Sequence, residues 1–164
     1  MPILDSRTLE FFSRSAEQTR RIGMRLGGLL EKGDIVCLQG ELGSGKTTLV
    51  QGVAQGWGSL DPVSSPTFVI VNIYRRPDNL NLFHLDAYRL QNAAEAEELD
   101  IDLMLEQGAL VVEWPEHIIG ALPVDCLKVE LRWIADEQRG MVFIPSGERY
   151  EKLLTEFRRK TWGG

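Results

Sequence analysis

Residues 40–47 read Gly40-Glu41-Leu42-Gly43-Ser44-Gly45-Lys46-Thr47, which fits G-x-x-x-x-G-K-[ST] at every fixed position. The flanks decide what the match means. Ile35-Val36-Cys37-Leu38 comes just before it, a short continuous apolar run of the kind a buried parallel strand shows. Leu49, Val50, Val53, Ala54 and Trp57 follow at the spacing of one helical face. Strand, glycine loop and helix is the setting in which this motif holds a nucleoside triphosphate. The glycines let backbone N–H groups turn inward around an anion, and the free amides and dipole of the next helix favour phosphate. Lys46 is then expected to reach the β- and γ-phosphates, and the Thr47 hydroxyl to ligate Mg²⁺.

Outward from the loop, the chain reads as a single domain over residues 1–164. Apolar content of 43% and charged content of 26% are ordinary for a globular protein. A net charge of -6 excludes general attraction to nucleic acid, so any RNA contact needs a local basic patch or a partner. No apolar run reaches the roughly 20 residues that span a bilayer. The N-terminus MPILDSRTLEFF lacks a basic region followed by an apolar core, so a cytoplasmic protein is expected. Cys37 and Cys126 lie in apolar, strand-like stretches and read as reduced core thiols.

Before the loop, Thr8 to Phe12 reads as a first strand. Ser15-Ala16-Glu17-Gln18 has the form of a capping box, and Ile22, Leu26, Leu29 and Leu30 follow at helical spacing to a stop at Gly33. After the loop helix, Ser59 to Thr67 is polar and holds two prolines, which makes it a loop. Ser65 or Thr67 is either a Mg²⁺ or γ-phosphate contact there or a solvated hydroxyl in a proline-shaped connection. Phe68–Tyr74 and Leu80–Leu85 read as a hairpin about the turn residues Arg75 to Asn79. The second strand ends in His84-Leu85-Asp86. An acid at that end is where a P-loop protein holds Mg²⁺, although a strand-end Asp also caps turns. His84 reads as a packed strand residue, with no Cys or second His at ligand spacing.

Asn92 to Leu99 reads as an acidic helix with Asn92 as its cap. Ala109-Leu110-Val111-Val112 is a further buried strand, and it too ends in an acid, Glu113, before Trp114 and Pro115. Ligands of open α/β sheets gather beyond the carboxyl ends of strands, so Glu113 is a candidate to ligate the metal or orient water. Leu127, Val129, Leu131 and Trp133 then alternate with charged residues as a strand with one wet face. Met141 to Ile144 is its partner, and a last helix from about Gly147 buries Tyr150, Leu153, Leu154 and Phe157. Arg158 to Lys160 complements that helix's dipole. The expected fold is α/β and P-loop NTPase-like, in three layers. It has a central mixed, mostly parallel sheet with flanking helices, and a C-terminal β-hairpin plus helix.

A P-loop names a ligand class, not a function. No N-K-x-D motif is present, and Asp86-Ala87-Tyr88-Arg89 lacks the glycine of a GTPase switch, which leaves ATP. A small-molecule kinase fits the length, but an arginine-rich lid is not evident. An ATP-binding module without turnover is the other alternative.

The chain resembles the TsaE family, the small ATPases of bacterial threonylcarbamoyladenosine tRNA modification. The resemblance is carried by GELGSGKTT (residues 40–48), SPTFVIVNIY (65–74), HLDAYRL (84–90), EEL (97–99) and VVEWPE (111–116), in the family's order. The stretch from Asp100 to Gln107 lacks the family's usual glycine and tyrosine, and the tail after about Ala121 matches in layout only. The resemblance implies that Leu42, Gly43, Ser44, Gly45, Lys46, Thr47 and Thr48 hold the ATP phosphates, and that Thr47 and Glu113 contact Mg²⁺. It implies Asp86 as the Walker-B-like acid, Ser65 to Phe68, including Thr67, as a nucleotide-sensing loop, and Trp114 packed beside the site. It also implies work with a TsaB–TsaD pair, in which TsaD transfers threonylcarbamoyl to adenosine 37 of certain tRNAs. Contact with tRNA would be indirect, and hydrolysis slow without the partners.

Overall fold

The computed structural model describes residues 8–41, 43–63 and 70–162. Seven strands form one mixed sheet: β1 (Leu9–Ser13), β2 (Ile35–Gln39), β3 (Val71–Arg75), β4 (Asn81–Asp86), β5 (Gly108–Glu113), β6 (Cys126–Ala135) and β7 (Gln138–Ser146). Their order is β1-β7-β6-β2-β5-β4-β3, with the P-loop strand β2 in the middle. The strands β4, β5, β2 and β6 pair in parallel, while β3, β7 and β1 join the two edges by antiparallel pairing. The expected C-terminal hairpin is therefore β6–β7, and β1 closes that edge by pairing with β7.

Helices cover both faces. Helices α1 (Ala16–Gly27), α2 (Lys46–Trp57) and α5 (Glu148–Trp162) pack one core, against Val36, Leu38, Val111, Val129 and Phe143. Helices α3 (Ala93–Glu97) and α4 (Ile101–Gln107), with the 3₁₀ segment Pro115–Ala121, pack a second core against Ile35, Cys37, Leu85, Leu110 and Val112. The alternation along β2 and β5 thus serves two dry faces, which is why those strands read as unbroken apolar runs.

Several boundaries differ from the sequence reading. Ser15 does cap α1, its Oγ accepting from the Gln18 amide at 3.1 Å, while Gln18 Oε1 accepts from the Arg14 amide at 2.8 Å. The helix, however, ends at Gly27 with Gly28 as its cap, so Leu29 and Leu30 pack on the core from a turn, before Gly33 is reached. The acidic helix shrinks to Ala93–Glu97, capped by Asn92, and Asp100 caps a separate α4. The period-two pattern of β6 holds through Leu131, but beyond it Trp133 is 59% exposed and its neighbours Arg132 and Ile134 are exposed too. The first strand of the expected Phe68–Tyr74 pair begins at Val71 within the described residues. Cys37 and Cys126 are both free thiols on the adjacent strands β2 and β6. Among the described residues no helix is long and apolar enough to cross a membrane.

Candidate functional site

The loop after β2 turns through Gly43 (φ 84°) and Gly45 (φ 101°), a left-handed conformation that glycine adopts without steric cost. A Cβ on Gly40 would lie 2.5 Å from Ser44 Oγ and 2.7 Å from the Leu131 carbonyl oxygen, so the loop closes tightly there. Helix α2 then starts at Lys46. No side chain caps its N-terminus, and no acid stands in its first turn. Its leading amides are the kind of donor set that binds an oxyanion. Thr47 and Thr48 occupy this turn and are half-buried.

Lys46 is 6% exposed, and its Nζ has no hydrogen-bond partner among the described residues. Instead the ammonium lies 4.0 Å from the centre of the Trp114 ring. Burial lowers the Lys46 pKa, and the carboxylates of Glu113, Asp86 and Glu116 oppose that shift. Ser44 Oγ is a second buried polar atom without a partner among the described residues. Buried donors cost stability when unmatched, so two of them at the mouth of one glycine loop fit an anionic ligand.

The two acids meet at the neighbouring sheet edge. Asp86 and Glu113 end β4 and β5 and are register partners, so their side chains leave the same face of the sheet. Asp86 Oδ1 accepts from the Tyr88 amide at 3.0 Å, so this residue caps the next turn as well as standing at the edge. Glu113 is 7% exposed and its Oε2 lies 2.5 Å from His84 Nε2. His84 Nδ1 in turn lies 3.2 Å from the Tyr74 hydroxyl. Among the described residues no cluster of three or more His, Cys, Asp or Glu side chains is arranged to hold a metal ion. Mg²⁺ commonly binds through one or two protein oxygens together with phosphate oxygens and water. Thr47, Asp86 and Glu113 are all hard oxygen donors of that kind.

Trp114 follows Glu113 in a left-handed conformation (φ 58°), which turns its ring back over Lys46. Tyr88 and His117 pack on it, with ring centres 5.1 and 5.7 Å away. The structure thus brings together Gly43, Ser44, Gly45, Lys46, Thr47 and Thr48 on the loop and first turn, and sets Asp86, Glu113 and Trp114 beside them. Leu42 and Thr67, with the expected sensing loop from Ser65 to Phe68, lie outside the described residues.

Two features escaped the sequence. The Tyr74–His84 contact with Glu113 joins residues of three strands; His84 two places before Asp86 put it on the acid's face, but nothing in the spacing supplied its partner. Arg139, at the start of β7, packs on the loop: a Cβ at Gly45 would lie 3.4 Å from its Cγ. Its Nη1 donates to the Asp136 carbonyl at 2.6 Å, which ties the guanidinium to the hairpin turn.

Residues 13–141 match the sequence model of the family "Threonylcarbamoyl adenosine biosynthesis protein TsaE". The chain is 36% identical to the tRNA threonylcarbamoyladenosine biosynthesis protein TsaE of Bacillus subtilis, over 92% of this chain and 94% of that protein. It is 43% identical to the TsaE protein of Streptomyces coelicolor, over 80% and 93% of the two chains. The crystal structure of Bacillus subtilis YdiB superposes with a TM-score of 0.78 at 31% identity, covering 94% of this chain and 96% of that one.

Proposed function

Because the chain belongs to the TsaE family, matching its sequence model over residues 13–141, we propose that it binds and hydrolyses ATP in support of threonylcarbamoyladenosine formation at position 37 of tRNAs. In this reading it acts with a TsaB–TsaD pair, and TsaD carries out the transfer. Turnover by this protein resets the assembly between rounds. The observation that carries the proposal is Lys46, a buried ammonium without a hydrogen-bond partner among the described residues, at the start of a helix that no described side chain caps. A cation so placed beside a glycine loop is well matched to the phosphates of a nucleotide.

The residues divide the work by chemistry. The amides of Gly43 to Thr48 and the Lys46 ammonium bind the phosphate chain and stabilise the charge that develops on it. Thr47, with Asp86 and Glu113, holds Mg²⁺, which supplies charge neutralisation at the phosphate oxygens when bound. Asp86 or Glu113 orients the attacking water. Trp114 and its neighbours Tyr88 and His117 wall the site. Thr67 belongs to the segment that senses the γ-phosphate. With a net charge of -6, contact with tRNA runs through the partners.

Phosphate release from ATP, measured with and without Mg²⁺, tests the reading. The wild-type protein should release phosphate only with the metal present. Lys46→Ala should lose nucleotide binding or turnover. Wild-type protein that neither binds nor turns over ATP would overturn the proposal. Transfer of labelled phosphate to a small metabolite would replace it with a kinase.

A further inference from the structure

Tyr74, His84 and Glu113 are three polar side chains in the interior, 3%, 8% and 7% exposed. They come from β3, β4 and β5, which are neighbours in the sheet. Their atoms follow one line: the Tyr74 hydroxyl is 3.2 Å from His84 Nδ1, and His84 Nε2 is 2.5 Å from Glu113 Oε2. An ionised carboxylate can only accept, so the bond at Glu113 runs from an Nε2–H. In a neutral ring that leaves Nδ1 as an acceptor, and the Tyr74 hydroxyl is its donor. Burial, followed by the nearby Glu113 charge, pushes the tyrosine up to about 12, so it keeps the proton this bond requires.

We propose that Tyr74 and His84 form a positioning pair that fixes the Glu113 carboxylate, the tyrosine setting the histidine tautomer and the histidine holding one carboxylate oxygen so that the other serves the metal or its water. This rests on the ATP reading above, in which Glu113 works at the phosphate edge. A histidine that merely filled the core could bond to any backbone carbonyl. This one is spent on the acid that ends β5, one strand from the lysine loop. Partners in such a second layer around a metal site commonly set affinity by about 10- to 100-fold.

The test has two readings, both on the full chain. Long-range ¹H–¹⁵N NMR of the protein without nucleotide reports which ring nitrogen carries the proton, with His117→Gln used to assign the two histidine signals. His84 should show a protonated Nε2 and a bare Nδ1, and Tyr74→Phe should raise the Nδ1–H form. A wild-type His84 that carries a proton on Nδ1, alone or together with Nε2, would overturn the proposal. Fluorescent ATP-analogue titrations with Mg²⁺ and with EDTA give the second reading. His84→Phe should leave EDTA binding intact but reduce the gain from Mg²⁺ by about tenfold or more. His84→Gln, which keeps a donor, should restore the gain to within about threefold. A full Mg²⁺ gain in His84→Phe would also overturn it. If His84→Phe does not fold, the wild-type spectrum and the Gln variant decide. Wild-type protein that fails to bind the nucleotide would remove the ATP reading, while the ring spectrum would still judge the pair on its own.

Discussion

An ammonium resting on an indole face is a compromise. Lys46 has left water, which lowers its pKa, and in the absence of a phosphate it has the Trp114 ring and the carboxylates of Glu113, Asp86 and Glu116 as its compensation. A polyphosphate offers it more, so binding should draw the ammonium off the ring. Tryptophan emission should therefore change on ATP addition, and Trp114→Phe should abolish the change although Trp57, Trp133 and Trp162 remain. An unaltered response in that variant would place the reporter elsewhere. Glu113 is tested by Glu113→Gln, which keeps the shape and can still accept from His84. Nucleotide affinity measured in EDTA should stay within a few-fold, while hydrolysis with Mg²⁺ falls by about 100-fold or more, the range set by loss of a positioned acid or base. Unchanged turnover would take Glu113 out of the site. The loop residues, Asp86 and Glu113 were legible because each is announced locally, by a motif or by an acid closing an apolar run. The roles of Tyr74 and His84 were not, since a hydrogen bond between strands depends on pairing that no local pattern encodes.

Helix α2 carries Lys46 and Thr47, and what fixes its axis is a glycine-lined seam with α1. A Cβ on Gly27 would lie 2.0 Å from the Val53 carbonyl oxygen, and one on Gly56 would lie 2.0 Å from that of Met24. Gly23 and Gly52 are similarly closed, with backbone oxygens at 2.4 and 2.1 Å. The two backbones touch, so an added methyl must push the helices apart. Gly27→Ala should cost about 1–3 kcal/mol in urea unfolding, as overpacking does, despite the better helix propensity of alanine. Gly28→Ala is the control. Its Cβ would meet nothing nearer than 3.5 Å and its backbone is right-handed, so it should be neutral or stabilising by about 0.4–1 kcal/mol. Equal effects at the two positions would refute the seam. Gly28, the cap of α1, marks where the sequence misled. Leu29 and Leu30 continue the apolar spacing, so periodicity carried the helix on to Gly33, whereas the chain turns at Gly28 and buries them from outside it. Helix α4 is too short to show a period, and the 3₁₀ segment depends on Trp114 in a left-handed conformation that its residue type does not announce.

At the scale of the molecule, the question is whether the chain holds everything that turnover needs. Loosening of a γ-phosphoryl group spreads charge that P-loop enzymes commonly meet with an arginine, in cis or from a partner, worth about 10³–10⁵ in rate. Here many of the arginines are committed elsewhere. Arg75 is bound to Asp61, Arg76 to Asp78, Arg132 to Glu10 and Arg149 to Asp34. Arg139, which does lie on the loop, has its Nη1 on the carbonyls of Asp136 and Gln138. Its Nε, beside Gly45, is buried without a partner among the described residues; if that guanidinium does not reach the phosphates, the cation has to come from a partner. Phosphate release by the isolated protein should therefore be slow, and it should rise at least about tenfold when TsaB–TsaD and tRNA are added, a small part of what an arginine can supply. If the isolated chain turns over ATP as fast as the assembly, the charge at the site is already complete, and the partners do not act through hydrolysis.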